Sequence, residues 1–109
     1  MENTEIIYKI EYQSEAEADL KDIAFYYHQT AGTDIAKTNI ERILNSIDGL
    51  EHTPYRCPVC DFSPNIRKLT VPKLPYLVFF KVVGDTVHIL NIFNAKRNPR
   101  LLELKYQDQ

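Results

Sequence analysis

The chain has 109 residues, 44% of them hydrophobic and 26% charged, which is enough for one compact core and too little for a multidomain enzyme. Its longest strongly apolar stretch, Leu77 to Val83, carries Lys81 and falls far short of the roughly 20 residues of a membrane span. The acidic start, Met1 to Glu5, has neither the basic region nor the apolar run of a secretory signal, so a soluble, cytoplasmic protein is expected.

In chain order, Ile6 to Tyr12 alternates, with Ile6, Tyr8, Ile10 and Tyr12 on one face and Ile7, Lys9 and Glu11 on the other, the period of a half-buried strand. Ser14 stands three residues before Glu17, the spacing of a capping box, and predicts a helix start there. Ala16, Leu20, Ile23, Ala24 and Tyr27 form its inward stripe, and Gly32 supplies a residue able to stop it. Thr33 or Asp34 is expected to cap a second helix with the stripe Ala36, Ile40, Ile43, Leu44 and Ile47. The short link between the two predicts an antiparallel helical hairpin.

Residues 51–64 hold Pro54, Pro58 and Pro64 without sustained periodicity and read as a loop. Three β-rich runs follow: Ile66 to Val71, Tyr76 to Val83 and Thr86 to Phe93. Gly84-Asp85 between the last two suits a type II′ hairpin turn, and Pro72 and Pro75 bracket a turn between the first two. Asn98-Pro99 resembles a helix start, with Leu101, Leu102, Leu104 and Tyr106 available for a short terminal helix. The sum is an α+β fold, βααβββ, with a helical hairpin packed on a mainly antiparallel sheet and a possible short C-terminal helix.

The net charge of −2 hides an asymmetry: residues 1–54 hold four basic and eleven acidic side chains, whereas residues 55–109 hold nine and four. A basic half attracts an anionic partner such as RNA or an acidic protein, although an acidic helical half beside a basic sheet is also satisfied by internal charge matching. His88 alternates with Leu90 and Ile92, as a packed, hydrogen-bonded histidine would.

Cys57-Pro58-Val59-Cys60 holds both cysteines. Structural zinc takes four ligands, and His52 and Asp61 are the neighbouring substitutes for a second pair. A redox pair favours a first cysteine at a helix N-terminus, where the thiolate is stabilised, whereas this one lies in a Pro-broken segment. An incidental loop pair asks least of the chain, and no metal site is expected.

Taken in order, the strand Tyr8 to Tyr12, the Ala16-x-x-x-Leu20-x-x-Ile23 helix, the Ala36 to Leu50 helix with Pro54, Ile66-Arg67-x-Leu69, Tyr76 to Val83, and Val87-x-Ile89-Leu90-x-Ile92 leading to Lys96-Arg97-Asn98-Pro99 resemble the RelE/ParE superfamily. These are toxins of bacterial type II toxin–antitoxin, or plasmid stabilisation, modules. The resemblance implies one toxin domain over residues 1–109, a cognate antitoxin that wraps across it, and no cofactor. It leaves two activities open: poisoning of DNA gyrase, and metal-independent cleavage of mRNA in the ribosome.

The second activity needs a group to accept the 2′-hydroxyl proton, a group to protonate the leaving 5′-oxygen, and cations for the charge on phosphorus. The resemblance places Arg67 and Arg97 as phosphate-holding residues, with Lys68, Lys73 and Lys96 adding binding charge. The nuclease branch often carries His or Tyr just after the last strand, where this chain has Asn94-Ala95-Lys96, leaving Tyr106 as the substitute catalytic group. That departure tips the expectation toward the gyrase-poisoning branch, with the mRNA endonuclease as the alternative and a non-toxic binding module of the same fold as the third reading.

Overall fold

The computed structural model describes residues 6–96. The first strand, β1, is Lys9–Tyr12, shorter than its alternation suggests, and it is followed by α1, Ser14–Ala31, and α2, Thr33–Asp48. Two single-turn 3-10 segments, Gly49–Glu51 and Pro54–Arg56, lead into the strands β2 (Val59–Cys60), β3 (Ser63–Thr70), β4 (Tyr76–Val83) and β5 (Thr86–Asn94). The expected βααβββ order holds. The expected loop 51–64 instead contains the last residue of the first turn, all of the second, the two-residue β2 and the start of β3, because its prolines fix local φ angles without preventing an edge strand. The expected terminal helix from Asn98 lies outside the described residues.

The sheet has the order β1-β5-β4-β3-β2. Lys9 to Tyr12 run parallel to Thr86 to Ile89, and every other pairing is antiparallel. Tyr8, Ile10 and Tyr12 pack against the core as their alternation requires, whereas Ile6 and Ile7 remain exposed. Phe79 pairs with Asn91 and Phe80 with Ile89, so Leu90 is the extra residue of a β-bulge. In the β4–β5 turn Gly84 has φ 61 while Asp85 is absent from the positive-φ residues, the pattern of the expected type II′ turn.

Both helix caps differ from the sequence pattern. Ser14 lies inside α1; Gln13 is the N-cap, with no side-chain cap bond, and its carbonyl accepts the Glu17 N–H at 3.0 Å. Thr33 opens α2, and Gly32 alone joins the helices at φ 94, ψ 167, a conformation open essentially only to glycine. A single residue therefore ends one helix and caps the next. Thr33 is free to share a hydrogen bond with His28, Oγ1 to Nδ1 at 3.0 Å.

The main core lies between the hairpin and one face of the sheet. Ala16, Ile23, Ile43, Ile47 and Leu50 meet Val71, Tyr76, Val78, Phe80, Val87, Ile89 and Ile92 there. A carboxylate fastens the layers: Asp19 Oδ2 on α1 accepts the Ile92 N–H at 2.8 Å, at the segment of β5 just past the bulge. On the opposite face Cys60, Ile66 and Phe79 form a second, smaller cluster bordered by Phe62, Leu77, Leu90 and Phe93. Neither helix contributes to that cluster.

Candidate functional site

Adjacent side chains on a strand point to opposite faces, and this separates the two basic residues of β3. Arg67 pairs with Phe80, a residue of the main core, whereas Lys68 pairs with Phe79 of the second cluster. Arg67 consequently shares the helix-covered face, and Lys68 the open one.

Arg67 is bound to its own chain. Its Nη1 donates to the Cys57 carbonyl at 2.6 Å and, at 3.4 Å, to that of Tyr55, and its guanidinium carbon stands 4.9 Å from the centre of the Tyr55 ring, within cation–π range. Tyr55 in turn meets the Tyr8 ring edge-on at 6.2 Å. Pro54 supplies the first position of the turn that presents Tyr55, where its fixed φ is already suited. The arginine thus pins residues 55–57 against β3, while the Lys68 N–H donates to the Pro58 carbonyl at 3.0 Å.

Two other basic residues, Lys73 and Lys96, lie at one end of the sheet. Between β3 and β4, Pro72 precedes Lys73, whose φ of 68 is the only positive value of a non-glycine among the described residues. The Leu74 N–H reaches the Val71 carbonyl at 3.5 Å and the Val71 N–H that of Tyr76 at 3.0 Å. Proline second and a positive φ third is the pattern of a type II turn, where the third position normally favours glycine. Where β5 leaves the sheet, the Ala95 N–H donates to the Pro75 carbonyl at 2.7 Å and the Lys96 N–H to Asn94 Oδ1 at 2.9 Å. The fold thereby brings the backbone of Lys96 beside the turn that carries Lys73, and both side chains are exposed. Arg97 and Tyr106 lie outside the described residues.

On the open face His88 stands between Glu11 of β1 and Lys81 of β4 in register. Its Nδ1 shares a hydrogen bond with Gln13 Nε2 at 3.2 Å and lies 3.9 Å from Glu11 Oε1, so it is hydrogen-bonded as expected, but the bulge at Leu90 turns Ile92 to the helix side and the alternation of His88 with Ile92 does not hold. Burial pushes both thiols, Cys57 and Cys60, above their ordinary range, although the nearby positive charges of Arg67 and Arg56 act the other way on Cys57, and Lys68 does so on Cys60. Among the described residues no three His, Cys, Asp or Glu side chains converge as metal ligands, and no helix is long and apolar enough to cross a membrane.

Two structural partners escaped the sequence pattern. Tyr55, in a stretch without periodicity, carried no signal of its stacking on Arg67. Asp19 did carry a trace of one, since it sits next to Leu20 of the inward stripe, on the flank of α1 that faces β5. As chemistry, the arrangement offers an open, partly apolar sheet face bordered by lysine cations, suited to an acidic or phosphate-bearing partner.

A family model described as the ParE toxin of type II toxin–antitoxin system, parDE, matches residues 10–99. The chain belongs to the ParE toxin family. It is thus the toxin component of a toxin–antitoxin module within the RelE/ParE superfamily, and a cognate antitoxin is its partner. A solved structure titled chromosomal ParDE TA system from P. aeruginosa is similar in fold, with TM-score 0.76 and 23% identity, over 83% of this chain and 98% of that one. The isolated E. coli RelE toxin aligns with TM-score 0.49 and 10% identity, over 94% of this chain and 99% of that one. No curated protein matches.

Proposed function

We propose that this ParE-family toxin stops growth by poisoning DNA gyrase, and that the open sheet face with its basic end makes the contact. The observation that carries the reading is the commitment of Arg67 to the carbonyls of Cys57 and Tyr55. The arginine that an mRNA endonuclease would use to hold a scissile phosphate is here occupied in binding its own loop. The end of β5 and the residues after it, Asn94-Ala95-Lys96, also lack the His or Tyr that proton transfer to and from RNA would use.

In this reading Lys68, Lys73 and Lys96 bind the target through charge, and Arg97, next in sequence to Lys96, adds a further cation. The juxtaposition of Lys73 and Lys96 supports a second reading, because two ammonium groups at one end of a sheet also neutralise a phosphate. A ribosome-dependent endonuclease would then use Arg97, Arg67 once freed from its loop, and Tyr106 as the proton-transfer group.

Purified toxin added to gyrase, supercoiled plasmid and ATP separates the two. Accumulation of linear DNA that denaturation and protease treatment release is the expected result. Phased cuts in mRNA on translating ribosomes, with plasmid DNA intact, would overturn it in favour of the nuclease, and neither effect would leave a non-toxic binding module.

A further inference from the structure

The cysteine pair lies at the edge of the sheet, with Cys60 packed under the open face just described, and its placement has a mechanical consequence. Cys57 packs against the main core on the helix side, whereas Cys60 is buried with Ile66 and Phe79 in the cluster on the opposite face. The stretch between them is the sheet's edge: Val59 pairs with Arg67 and Cys60 with Ser63, across a register shift. A disulfide needs the two Cβ atoms about 3.8 Å apart on a common side. Closing one here must withdraw at least one cysteine from its cluster and lift β2 from β3. The Cys57 carbonyl that accepts from Arg67 at 2.6 Å and the Pro58 carbonyl that accepts from the Lys68 N–H at 3.0 Å belong to the same four residues.

We propose that Cys57 and Cys60 are a thiol–disulfide modification site, in which oxidation by a low-molecular-weight disulfide such as oxidised glutathione undocks β2 and frees the Arg67 guanidinium. Cys57, the less buried thiol, loses its proton to solvent and attacks one glutathione sulfur. The Cys57–glutathione bond forms as the glutathione S–S bond breaks, and one glutathione thiolate leaves. As the edge opens, the Cys60 thiolate attacks the Cys57 sulfur and expels the second. Two protein thiols give up two electrons and two protons, and one glutathione disulfide becomes two glutathione molecules. Attack requires the thiolate, so the raised affinity of both thiols for their protons makes the reaction slow near neutral pH and faster as pH rises.

The fold favours the dithiol, because β2 packs and pairs only when the thiols are apart. By linkage the disulfide form is the less stable protein, the reverse of the usual effect of a cross-link, and a ring this small constrains the unfolded chain little. The folded chain should therefore resist oxidation relative to the same chain unfolded in urea, with an equilibrium constant lower by about tenfold or more.

The test equilibrates the full chain in graded mixtures of reduced and oxidised glutathione, with and without urea, and reads the 57–60 disulfide by peptide mass. The two forms are then compared for melting temperature and for labelling of Arg67 by phenylglyoxal, with Cys57→Ser, which cannot form the 57–60 disulfide, as the control. The expected result is a lower melting temperature and several-fold faster Arg67 labelling in the disulfide form, neither change appearing in Cys57→Ser under the same oxidant. No disulfide at any ratio in the folded chain, a melting temperature equal or higher after oxidation, or unchanged Arg67 labelling would overturn the proposal. None of these readouts involves gyrase or RNA, so the outcome is independent of the growth-inhibition reading.

Discussion

The two faces of the sheet are built from the same strands and meet different fates. On the helix side Val78, Phe80, Val87 and Ile89 are wholly enclosed, and Arg67, the one arginine of the described strands, is absorbed into the fold by carbonyl oxygens and a tyrosine ring. On the open side Cys60, Ile66 and Phe79 are the buried hydrophobic residues among those described, with Asn91 buried beside Phe79; Leu77, Leu90 and Phe93 are half-covered, and Lys68 and Lys81 keep partial access to water. Neighbours in sequence thus become a structural cation and an available one. Strand alternation alone assigns that difference, since charge and residue type are nearly the same.

The comparison can be broken first in the cores. Phe80→Ala should cost about 3–5 kcal/mol, as truncation of an enclosed aromatic does, whereas Phe93→Ala on the open face should cost about 1–2 kcal/mol because water already reaches its ring. Urea unfolding of both variants checks this, and equal losses would mean that the open face is as tightly packed as the covered one.

Arg67→Ala comes next. Removing a half-buried guanidinium with two carbonyl acceptors should lower stability by about 1–2 kcal/mol, more than the near-zero cost of an ordinary surface arginine. Arg67→Lys should recover only part of it, because an ammonium is a compact point charge without the planar face that the guanidinium lays on the Tyr55 ring. Hydrogen exchange at residues 55–60 should rise in both variants, and unchanged exchange would show that the loop is held by other contacts.

A titration addresses the first strand. Burial, with a smaller contribution from the negative charge of Asp48, pushes the Tyr12 phenol up to about 12 from its ordinary value of 10.0. The fold therefore favours the neutral phenol. That stabilisation is complete below pH 10 and is lost as pH rises through the interval to about 12. Ultraviolet titration should show a late-ionising tyrosine that disappears in Tyr12→Phe.

The smallest effect concerns Lys73, whose φ of 68 strains a side-chain-bearing residue. Lys73→Gly should raise stability by about 0.5 kcal/mol, the relief of the left-handed conformation exceeding the added freedom of the unfolded chain. A melting temperature that falls would show that the lysine side chain contributes contacts of its own.

Much of this fold was legible from the residues. The alternation of Tyr8, Ile10 and Tyr12, the two helical stripes, and Gly84-Asp85 each encode local geometry directly, and the strands formed where β-rich runs predicted them. The caps were misread because the capping-box spacing of Ser14 and Glu17 is shared by ordinary first-turn positions, and because Gly32 could serve both helices only once their one-residue link was known. The β2 edge was invisible, since two residues carry no period. For the site, the family resemblance marked Arg67 and charge marked Lys68, Lys73 and Lys96, but neither could tell which face each occupied. That depended on the β3–β4 register, and the loop that claims Arg67 comes from a segment ten residues earlier in the chain.

The central claim is that the open face and its basic end act on the target while Arg67 serves the fold. Its most direct test is gyrase-dependent DNA cleavage by the variant combining Lys68→Ala, Lys73→Ala and Lys96→Ala, set beside its unfolding curve. Cleavage reduced at least about tenfold, with a stability within about 1 kcal/mol of the parent, is the predicted result. Full cleavage by a folded triple variant would contradict the claim and move the contact to another surface.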